Sequence, residues 1–595
     1  MKKRYHTLVI GTGCAGFNAA DKLYDLGVRD VAILTEGRFT GTSRNTGSDK
    51  QTYYKLSLCG SDGDSVREMA STLYSGGGVM GEHALCEAAY SVRCFMRLVE
   101  LGVPFPTNEF GEYAGYKTDH DPRTRATSCG PLTSKYMTEA LERSVLGKGI
   151  EILSPLRAVK LLTDADGITG VACISPVTGE YTVIGCQNVI LATGGSPNVY
   201  QNTVYPESQH GGTGLAIEAG AALSNMDQWQ YGIASTAFRW NLSGTYQQVI
   251  PRYLSIDRDG TEREFLADAL GERAYGLVFL KGYQWPFDTR KTEGSSQVDL
   301  LVAEEIKAGR RVFLDFTKNP RGLARELSNL PPEAHEYLRR SDALFGTPIE
   351  RLRRMNERAI ALYANHGIDL SHDLLEIAVC AQHCNGGVAV DAHWQSTVEG
   401  LYAIGEAAGT FGVYRPGGSA LNSTQVGGLR AAEHISRSNR VQKPIPTYTP
   451  PTLAVGKPTA DVLQAELGAE MSRVADFDRS TAGMQALFAR VCDLAEHFFD
   501  RISPADADRP IDLHRLHDTV LTQRTALSAM LKSAKEIGTH GAAMVDRQPN
   551  RTGDAPRTSR TVTVGSTSSI EPVTPLPSPE LWFEKLLARM GNDEK

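Results

Sequence analysis

Two short segments of the chain carry side chains that can bind an anion and move a proton. In GVYRPGGSALN, Arg415 offers a planar fork of donors suited to a carboxylate, and the neighbouring Tyr414 offers a phenolic hydroxyl. In AQHCNGG, Gln382 precedes His383, an imidazole whose ordinary pKa near neutrality suits a general acid or base. A surface ion pair for Arg415, ordinary packing for Tyr414 and a structural hydrogen bond for His383 are the alternatives. A further histidine, His120 in KTDHDPRTR, is interpreted as a solvated loop residue.

A glycine-rich turn near the start of the chain has the spacing of a dinucleotide site. TLVIGTGCAGFNAADKL predicts a strand that ends at Ile10, a glycine turn, and a helix that begins near Ala15. Gly11 would make the tight turn, Gly13 would let the backbone approach a pyrophosphate, and Gly16 would allow close packing of helix on strand. The helix N-terminus would supply amide groups and a positive dipole end to the phosphates. The spacing alone does not decide which dinucleotide binds.

Two later segments repeat the pattern of a buried strand followed by a glycine turn. They are NVILATGGSPNVY, residues 188–200, and GLYAIGEAAG, residues 400–409. Together with HGGTGLAIEAGA, they stand in the order found in the flavoprotein subunits of fumarate reductases and succinate dehydrogenases, a family that includes L-aspartate oxidases. The chain resembles this family from residue 7 to about residue 435. The resemblance implies that the dinucleotide is FAD and that the Gly-Glu-Ala turn lies beside its ribityl and pyrophosphate groups.

The resemblance also implies an α/β fold, in which a Rossmann-like FAD-binding domain carries an inserted α+β capping domain and a C-terminal helical domain. The helical periodicity of MQALFARVCDLAEHFF supports the helical domain. The Pro-, Ser- and Thr-rich segment that follows is interpreted as an extended arm, whose Trp582 and Phe583 would dock on the body or on a partner subunit; disorder is the alternative. The expected division is residues 1–205 and 372–440 for the FAD-binding domain, 206–371 for the capping domain, 455–545 for the helical domain and 546–595 for the C-terminal arm.

The loop TEGRFTGTSRNTGSDKQ is the second expected contact with the cofactor, with a polar surface loop as the alternative. Thr35 stands where flavoproteins commonly place an acidic residue for the adenosine ribose, and Glu36 follows it, so both are candidates. Some relatives bond a histidine of this loop covalently to the flavin, and its absence here predicts noncovalent FAD. The residues expected to contact FAD are Gly11, Gly13, Cys14, Ala15, Gly16, Thr35, Glu36, Thr42, Ser43, Arg44, Thr46, Gly47, Ala192, Thr193, Gly194, Gly405, Glu406, Ser419, Ala420 and Leu421.

The chain departs from the family at the residues that handle the substrate. Alignment on AQHCNGG places Gln382 where the dicarboxylate enzymes have a substrate-binding histidine, with His383 one residue later. Gly232 replaces a second histidine of the family. The position of the family's proton-donor arginine falls at about Ser295, although a shift of the loop would bring Arg290 into its place. These replacements argue against fumarate or succinate as the substrate.

One cationic anchor survives, because Arg415 matches the family's arginine that holds a substrate carboxylate. We therefore interpret the chain as an FAD-dependent oxidoreductase that transfers a hydride between flavin N5 and a carbon of a small organic substrate. The direction of transfer is left open. An L-aspartate-oxidase-like amine oxidation is the alternative within enzymes. A non-catalytic electron-relay flavoprotein subunit is the alternative outside them.

Composition narrows the classes of function. The 595 residues carry a formal net charge of −7, which gives no basic footprint for nucleic acid. No run of ~18 apolar residues predicts a transmembrane segment, and the apolar run after MKKRYH ends in the nucleotide turn, unlike a signal peptide. The ten cysteines show no C-x-x-C and no metal-ligand spacing. We expect a cytoplasmic protein with reduced thiols and no metal, and leave open a homo-oligomer and an electron-donor or electron-acceptor protein partner.

Overall fold

A mostly parallel sheet of seven strands forms the centre of the N-terminal part of the chain. The computed structural model describes residues 4–61, 63–324, 326–451, 460–501, 510–550 and 556–590. The strands of this sheet, in spatial order, are Glu151–Leu153, Val31–Leu34, Arg4–Ile10, Tyr181–Leu191, Gly167–Ile174 and Arg157–Asp164, with Leu401–Ala403 also paired to Tyr181–Leu191.

The register brings the carboxyl ends of four parallel strands to one edge of this sheet. Ile10 pairs with Leu34 on one side and with Leu191 on the other, and Leu191 also pairs with Ala403. Every residue of Val31–Leu34 is buried, as expected for a parallel strand covered on both faces. The turns that follow these four strand ends therefore lie side by side, at the edge where ligands of open α/β sheets bind.

The helix Ser419–Arg437 packs on the first helix of the chain, Cys14–Asp25. A Cβ at Gly428 would lie 2.6 Å from Asn18 Nδ2, which leaves no room for a larger residue without a shift of that amide. Asn18 Nδ2 also donates to Gln425 O at 2.9 Å. The helices of this region are Cys14–Asp25, Thr42–Asn45, Val66–Ser75, Gly81–Glu100, Thr133–Gly147, Thr213–Glu218 and Ser419–Arg437, with 3₁₀ turns at Pro197–Val199 and Gly405–Ala407 and a short ladder of Tyr53–Tyr54 with Ala126–Thr127.

A second, antiparallel sheet belongs to the inserted region. Its spatial order is Trp240–Asn241, Trp229–Ser235, Leu375–Cys384, Arg311–Asp315, Arg252–Ile256 and Glu262–Arg263. The strand Leu375–Cys384 falls in the part that the sequence division assigns to the FAD-binding domain, yet its backbone pairs with capping strands on both sides. By strand pairing, Leu375–Cys384 thus groups with the strands of the inserted region and not with the first sheet. The helices of the inserted region are Thr245–Gln248, Phe265–Leu270, Arg273–Lys281, Ser296–Lys307, Pro332–Arg340 and Pro348–Ala364, with a 3₁₀ turn at Thr289–Lys291.

Helices follow in the region where the sequence shows helical periodicity. Asp518, in the longest of them, accepts a hydrogen bond of 2.7 Å from Gly214 N, so this helix is bound to the N-terminal domain. The predicted residues 455–459 and 502–509 lie outside the described residues. None of the described helices has the length and apolar character needed to cross a bilayer. The helices are Ala460–Val474, Thr481–Glu496, Phe498–Arg501 and Pro510–Glu536, with a parallel bridge between Asp478–Arg479 and Met544–Val545.

The C-terminal segment forms a β-hairpin in its described part, where an extended arm was expected. Strands Ser559–Val564 and Thr567–Pro572 pair with each other, and the first also pairs with Leu223–Ser224, which in turn pairs with Gly387–Val388. Thr561 is buried in this hairpin. The segment is therefore part of a sheet on the body, because the backbone of Ser559–Val564 finds partners there.

The end of the chain lies outside this packing. The helix Phe583–Met590 buries none of its residues. Trp582 is 64% exposed and Phe583 is 67% exposed, so the structure does not dock either side chain on the body. The predicted arm residues 551–555 and 591–595 lie outside the described residues.

A buried carboxylate joins the hairpin to the start of a capping strand. Asp227 is fully buried, and it accepts hydrogen bonds from Arg557 Nη1 at 3.0 Å and from Thr561 Oγ1 at 2.6 Å. His540 Nε2 lies 3.7 Å from Asp227 Oδ2. Burial by itself would raise the pKa of this carboxyl, but the charges of Arg557 and His540 hold the pKa well below its usual range.

We expect Asp227→Asn to lower the free energy of unfolding by about 3 kcal/mol, because it leaves Arg557 as a buried, uncompensated charge. Urea unfolding followed by circular dichroism measures this loss, with Asp259→Asn in an exposed loop as the control. Because the pKa of Asp227 is depressed on folding, its contribution is complete above the unfolded-state value of about 3.9 and is lost as the pH falls below it. A variant as stable as the wild type would mean that other contacts hold the hairpin.

Candidate functional site

A large cavity lies where the turns after the parallel strands meet the capping domain. Its volume is about 1270 Å³, and its lining combines Gly11, Gly13 and Thr193 of the first sheet with Gln230 and Trp285 of the capping domain. Sites for one small molecule usually occupy roughly 300–1,000 Å³. The cavity can therefore hold a dinucleotide and a second, smaller molecule.

The three glycines of the first turn have distinct roles in the structure. Gly11 has a φ of +117°, and a Cβ there would lie 2.4 Å from Ala192 O. A Cβ at Gly16 would lie 2.0 Å from Gly11 O, so this glycine permits the helix to pack on the turn. A Cβ at Gly13 would meet only the side chain of Ser43, with its Oγ 3.1 Å away. Gly13 therefore faces open space in the cavity.

The first helix offers its N-terminus to the cavity. Gly13 is the N-cap residue and makes no side-chain cap, and no acidic residue stands in the first turn. Cys14 N donates to Ser43 Oγ at 3.2 Å. Thr193 Oγ1, on the neighbouring turn, is buried without a hydrogen-bond partner among the described residues. The other amide groups of the first turn, the positive dipole end and the unpaired hydroxyl of Thr193 suit a pyrophosphate.

Most of the residues expected to contact the cofactor line this cavity together. They come from four segments that are distant in sequence and adjacent in the sheet. They are Gly11, Gly13, Ala15, Thr35, Glu36, Thr42, Ser43, Thr46, Gly47, Ala192, Thr193, Gly194, Glu406, Ala420 and Leu421.

The side chains of Cys14 and Arg44, also expected at the cofactor, point elsewhere. The buried thiol of Cys14 donates to Ser134 O at 3.3 Å and lies 2.9 Å from Thr138 Oγ1. Arg44 forms an ion pair with Glu142. Each side chain is drawn to a partner on helix Thr133–Gly147, away from the cavity.

Three further residues that were expected to contact the cofactor do not line the cavity but support the backbone next to it. Gly16 and Gly405 permit close packing, the second with a φ of +60° and a Cβ position 3.2 Å from Ala15 Cβ. Ser419 Oγ donates to Pro416 O at 2.8 Å. These residues shape the backbone that carries the lining.

Gln209 is a residue of the cofactor end that the sequence analysis missed. Its Oε1 accepts a hydrogen bond of 2.8 Å from Thr42 N, and its Nε2 donates to Thr193 O at 3.3 Å and to Gly195 O at 3.2 Å. It thus joins the loop at Thr42 to the turn after Leu191. The available signal was its position directly before the HGGTG segment.

Both candidates for the ribose contact reach the cavity. Thr35 Oγ1 donates to Gly37 O at 3.1 Å, which commits its hydrogen. Glu36 is held by Arg157, whose Nη1 lies 3.0 Å from Glu36 Oε2, and by Arg515 of the long C-terminal helix. The carboxylate is therefore fixed in place by cations from two other elements.

Arg415 is an enclosed cation in the same cavity. Its Nε is buried without a hydrogen-bond partner among the described residues, and its guanidinium lies 5.6 Å from the centroid of the Phe411 ring. Burial lowers its pKa to about 10, against the opposing charge of Glu406. The side chain is thus cationic at neutral pH and has an unused donor.

His383 presents an acceptor nitrogen to the cavity. Its Nδ1 lies 2.9 Å from Asn385 Oδ1, and the amide nitrogen of Asn385 donates to Val413 O at 3.3 Å. This orientation of the amide assigns the ring hydrogen to Nδ1 and leaves Nε2 as an acceptor. Nε2 is buried with no hydrogen-bond partner among the described residues, 3.9 Å from Glu406 Oε1. Burial and the charge of Arg415 hold the pKa of His383 well below its usual value, so the ring is neutral.

Uncharged groups stand where the resembled family has histidines. Gln382 lines the cavity and donates to Asn241 Oδ1. Gln230 Oε1 is buried without a hydrogen-bond partner among the described residues. A Cβ at Gly232 would lie 2.5 Å from the indole of Trp285, so the ring occupies the space of the missing side chain. No sequence signal pointed to Trp285, because its contact with Gly232 depends on the fold.

Tyr414 and the two candidates for the proton-donor position lie outside the lining. Tyr414 donates to Asp288 Oδ1 at 3.3 Å, and the guanidinium of Arg290 lies 3.7 Å from the centroid of its ring. Arg290 is also paired with Asp288 at 2.8 Å. Ser295 is buried and donates to Gln284 Oε1 at 2.9 Å. Strong local partners thus direct all three side chains away from the cavity.

His120, interpreted from the sequence as a solvated loop residue, lines the cavity instead. Its side chain is only 21% exposed, and its ring centroid lies 5.1 Å from that of Tyr414. The packing of the loop against Tyr414 turns the imidazole inwards.

Comparison with known proteins identifies the family. The family model of the FAD binding domain matches residues 6–421, well over half of the chain. The chain belongs to this family. The predicted family, the α/β fold class and FAD as the cofactor are thereby confirmed.

Two relatives illustrate the range of the family. The L-aspartate oxidase of Streptomyces coelicolor is 28% identical over 441 residues, which cover 72% of this chain and 67% of the relative. One subunit of the fumarate reductase (CoM/CoB) of Methanothermobacter marburgensis is 27% identical over 435 residues, which cover 71% of each protein. The protein is therefore an FAD-dependent oxidoreductase of the family that contains both.

Solved structures share the whole fold. FrdA of the E. coli quinol fumarate reductase superposes with a TM-score of 0.72 at 17% identity, over 98% of both chains. Sdh1 of Mycobacterium smegmatis, in complex with UQ1, superposes with a TM-score of 0.71 at 19% identity, over 99% of this chain and 98% of the other. At these identities the likeness shows the fold alone.

We expect Gly13→Val to fold and to purify without FAD, because the new Cβ meets only the side chain of Ser43, which can shift, and the side chain occupies the space of the pyrophosphate. Gly16→Val should fail to fold, because its Cβ would collide with the carbonyl of Gly11. The ratio of flavin to protein absorbance and the thermal melting of the apoproteins distinguish the two. Gly63→Val, where nothing lies within 4 Å of the Cβ position, is the control. Stoichiometric FAD in Gly13→Val would show that this turn does not hold the phosphates.

Proposed function

We propose that this protein transfers a hydride between FAD and a small organic acid that carries an N–H or O–H group beside its carboxylate, and that fumarate and succinate are not its substrates. The observation that carries the proposal is the pair formed by Arg415 and His383, an unsatisfied cation and an unsatisfied acceptor in one cavity. When bound, FAD supplies the acceptor or donor of the hydride at N5.

Arg415 would bind the carboxylate of the substrate. Arg415 is partly buried, with a desolvated and unused donor at Nε. A carboxylate can supply this donor with an acceptor, because it accepts two parallel hydrogen bonds from a guanidinium. Binding would also fix the orientation of the neighbouring carbon. Arg415 would therefore act by positioning the substrate in the cavity.

His383 would bind the donor group of the substrate. Its Nε2 is an acceptor without a donor among the described residues. Glu406 Oε1, 3.9 Å away, already accepts from Tyr205 Oη and from Cys384 N. A ligand that offers an N–H or O–H would donate a hydrogen bond to His383 Nε2. A second carboxylate would find no donor there and would be repelled by Glu406. Gln382 would add an uncharged hydrogen-bonding group at the same wall.

Fumarate and succinate fit this lining poorly. The second charge-capable position of the family is Gly232, covered by the indole of Trp285, and the proton-donor position, Ser295, lies outside the lining. Each lost transition-state contact of ~3 kcal/mol lowers a rate by roughly a hundredfold. Their combined loss supports a different substrate.

Oxidation of a 2-amino acid, as the names of the L-aspartate oxidase relatives indicate, is the second candidate. The acceptor nitrogen of His383 favours it, because an amino group provides several N–H donors. The retained arginine provides the contact for one carboxylate. A 2-hydroxy acid would satisfy the same pair of groups with a single O–H donor.

We infer a reducing compartment, such as the cytoplasm, from the thiols. All ten cysteines are free, and seven of them are buried. Structural cysteines of secreted proteins are usually paired in disulfides. A protein that returns electrons from the flavin, or molecular oxygen, would complete the turnover.

We expect Arg415→Ala to keep its FAD and to slow flavin reduction by the substrate at least about a hundredfold, equivalent to ~2.7 kcal/mol of lost transition-state stabilisation. Arg415→Lys should recover part of the loss, because an ammonium cannot form the bidentate contact. Anaerobic stopped-flow absorbance measures both rates, and Arg358→Ala, on the exposed surface, is the control. If Arg415→Ala loses FAD while Arg415→Lys behaves as wild type, the guanidinium has a structural role.

Substrate assays separate the candidate reactions. With a reduced viologen as the electron donor, fumarate turnover should be negligible beside a typical rate of about 10 per second. L-aspartate and other 2-amino and 2-hydroxy acids should be tested anaerobically for flavin bleaching and aerobically for hydrogen peroxide. Bleaching by amino acids alone would select amine oxidation. Rapid fumarate reduction would contradict the alignment that removes the proton donor.

A further inference from the structure

The segment 117–121 folds over the cavity and carries a histidine in an unusual backbone conformation. All five residues of this segment line the cavity: Lys117, Thr118, Asp119, His120 and Asp121. The φ angle of His120 is 59°, in the left-handed region that side-chain-bearing residues seldom adopt. Such conformations persist where the surrounding structure imposes them, and they cluster at functional sites.

Tyr414 holds the imidazole of His120 in place. The two ring centroids lie 5.1 Å apart at an interplanar angle of 41°. Tyr414 is itself fixed by its hydrogen bond to Asp288 and by the guanidinium of Arg290 on its ring. Tyr414 is thus a positioning residue for His120.

His120 is close to the loop of Arg415. A Cβ at Gly417 would lie 3.2 Å from Thr118 Cβ, so the two loops are in contact two residues away from each side chain. The imidazole and the guanidinium therefore border the same end of the cavity.

Charged groups on both sides of His120 set its protonation. Asp119 Oδ2 lies 3.5 Å from His120 Nε2 and 2.7 Å from Lys291 Nζ, and Nδ1 makes no hydrogen bond to the described residues. Burial lowers the pKa of His120; Asp119 and Asp288 raise it, and Lys291 and Arg290 lower it. The net effect is a pKa below the ordinary value, so the ring is neutral at pH 7 and can accept a proton.

We propose that His120 is the general base of a 2-amino acid dehydrogenation in this cavity, with Asp119 stabilising the imidazolium that forms. This inference rests on the proposed function. One proton of the substrate ammonium passes to the imidazole, the Cα–H bond breaks, and its hydrogen leaves with both electrons to the flavin. A C=N bond forms, and the product is an iminium carboxylate. A second N–H of the same group remains hydrogen-bonded to Nε2 of His383.

The other histidines of the lining suit this role less well. His383 has its Nδ1 committed to Asn385, and Arg415 disfavours a positive charge on its ring. His210 lies 3.9 Å from Glu36, at the ribose end of the cavity. In His120, Nδ1 makes no hydrogen bond to the described residues, and Nε2 lies beside the carboxylate of Asp119.

The test compares holoenzyme variants in anaerobic flavin reduction by L-aspartate and a panel of 2-amino acids. His120→Asn keeps a side chain that tolerates the left-handed conformation, so FAD content and melting temperature should stay near wild type. The limiting rate of reduction should fall about a hundredfold or more, the usual contribution of a general base. The Kd of the amino acid should change less than about threefold. His372→Gln, on the exposed surface, is the control.

The pH profile provides a second measurement. In the wild type the limiting rate should fall as the pH drops through the pKa of His120, below 6.5, and this limb should be absent in His120→Asn. Asp119→Asn should move the limb to lower pH, because Asp119 raises the pKa of His120. Histidine resonances of ¹³C-labelled holoenzyme, assigned by His120→Asn, should titrate over the same range without any substrate.

The outcomes separate this inference from the proposed function. If no 2-amino acid of the panel bleaches the wild-type flavin, the role of His120 is overturned. The proposed function is overturned as well if the 2-hydroxy acids also leave the flavin oxidised. If the wild type is bleached and His120→Asn keeps its rate and its acid limb, only the role of His120 is overturned. Loss of the limb in His383→Gln but not in His120→Asn would assign the base to His383.

Discussion

The register of four parallel strands is the constraint on which the rest of this protein depends. Because Ile10, Leu34, Leu191 and Ala403 are aligned, four turns from distant parts of the chain open into one cavity. Their close approach is possible only because Gly11 has no side chain to meet the carbonyl of the next turn. A shift of one strand would separate the amide groups that suit the pyrophosphate from the loops that surround them. The cofactor end of the cavity is therefore a property of strand pairing.

The capping domain completes this cavity through a strand that reaches both layers. Leu375–Cys384 is hydrogen-bonded within the capping sheet, and its end reaches the first domain, where Cys384 N donates to Glu406 Oε1 at 2.9 Å. Gln382 and His383 are thereby delivered to the guanidinium of Arg415, although Arg415 follows a strand of the other sheet. The side chains proposed to bind the substrate thus come from both sheets. Any motion of one sheet relative to the other would change the distances between these side chains.

Burial gives similar side chains different chemistry in this cavity. Arg415 loses hydration, and its Nε has no hydrogen-bond partner among the described residues, so it stays charged and available to an anion. His383 loses hydration beside that cation, so it stays neutral and acts as an acceptor. His120 is also neutral, but Asp119 offers it a counter-charge once it takes a proton. The same imidazole group can therefore hold a substrate at one position and receive a proton at another.

The sequence alone determined the glycine turns, because these depend on local backbone requirements that the residue types themselves impose. The order of three such segments along the chain carried the resemblance that gave the family and FAD. The dinucleotide turn is recognised by the spacing of Gly11, Gly13 and Gly16, which does not depend on the rest of the fold. Only the tertiary structure decided where the longer side chains point. Arg44 turns to Glu142 and Tyr414 to Asp288, while His120 turns inwards and Trp285 covers Gly232. The direction of a long side chain is set by the polar or aromatic partner that it contacts. Because these partners lie far away along the chain, the sequence did not show them.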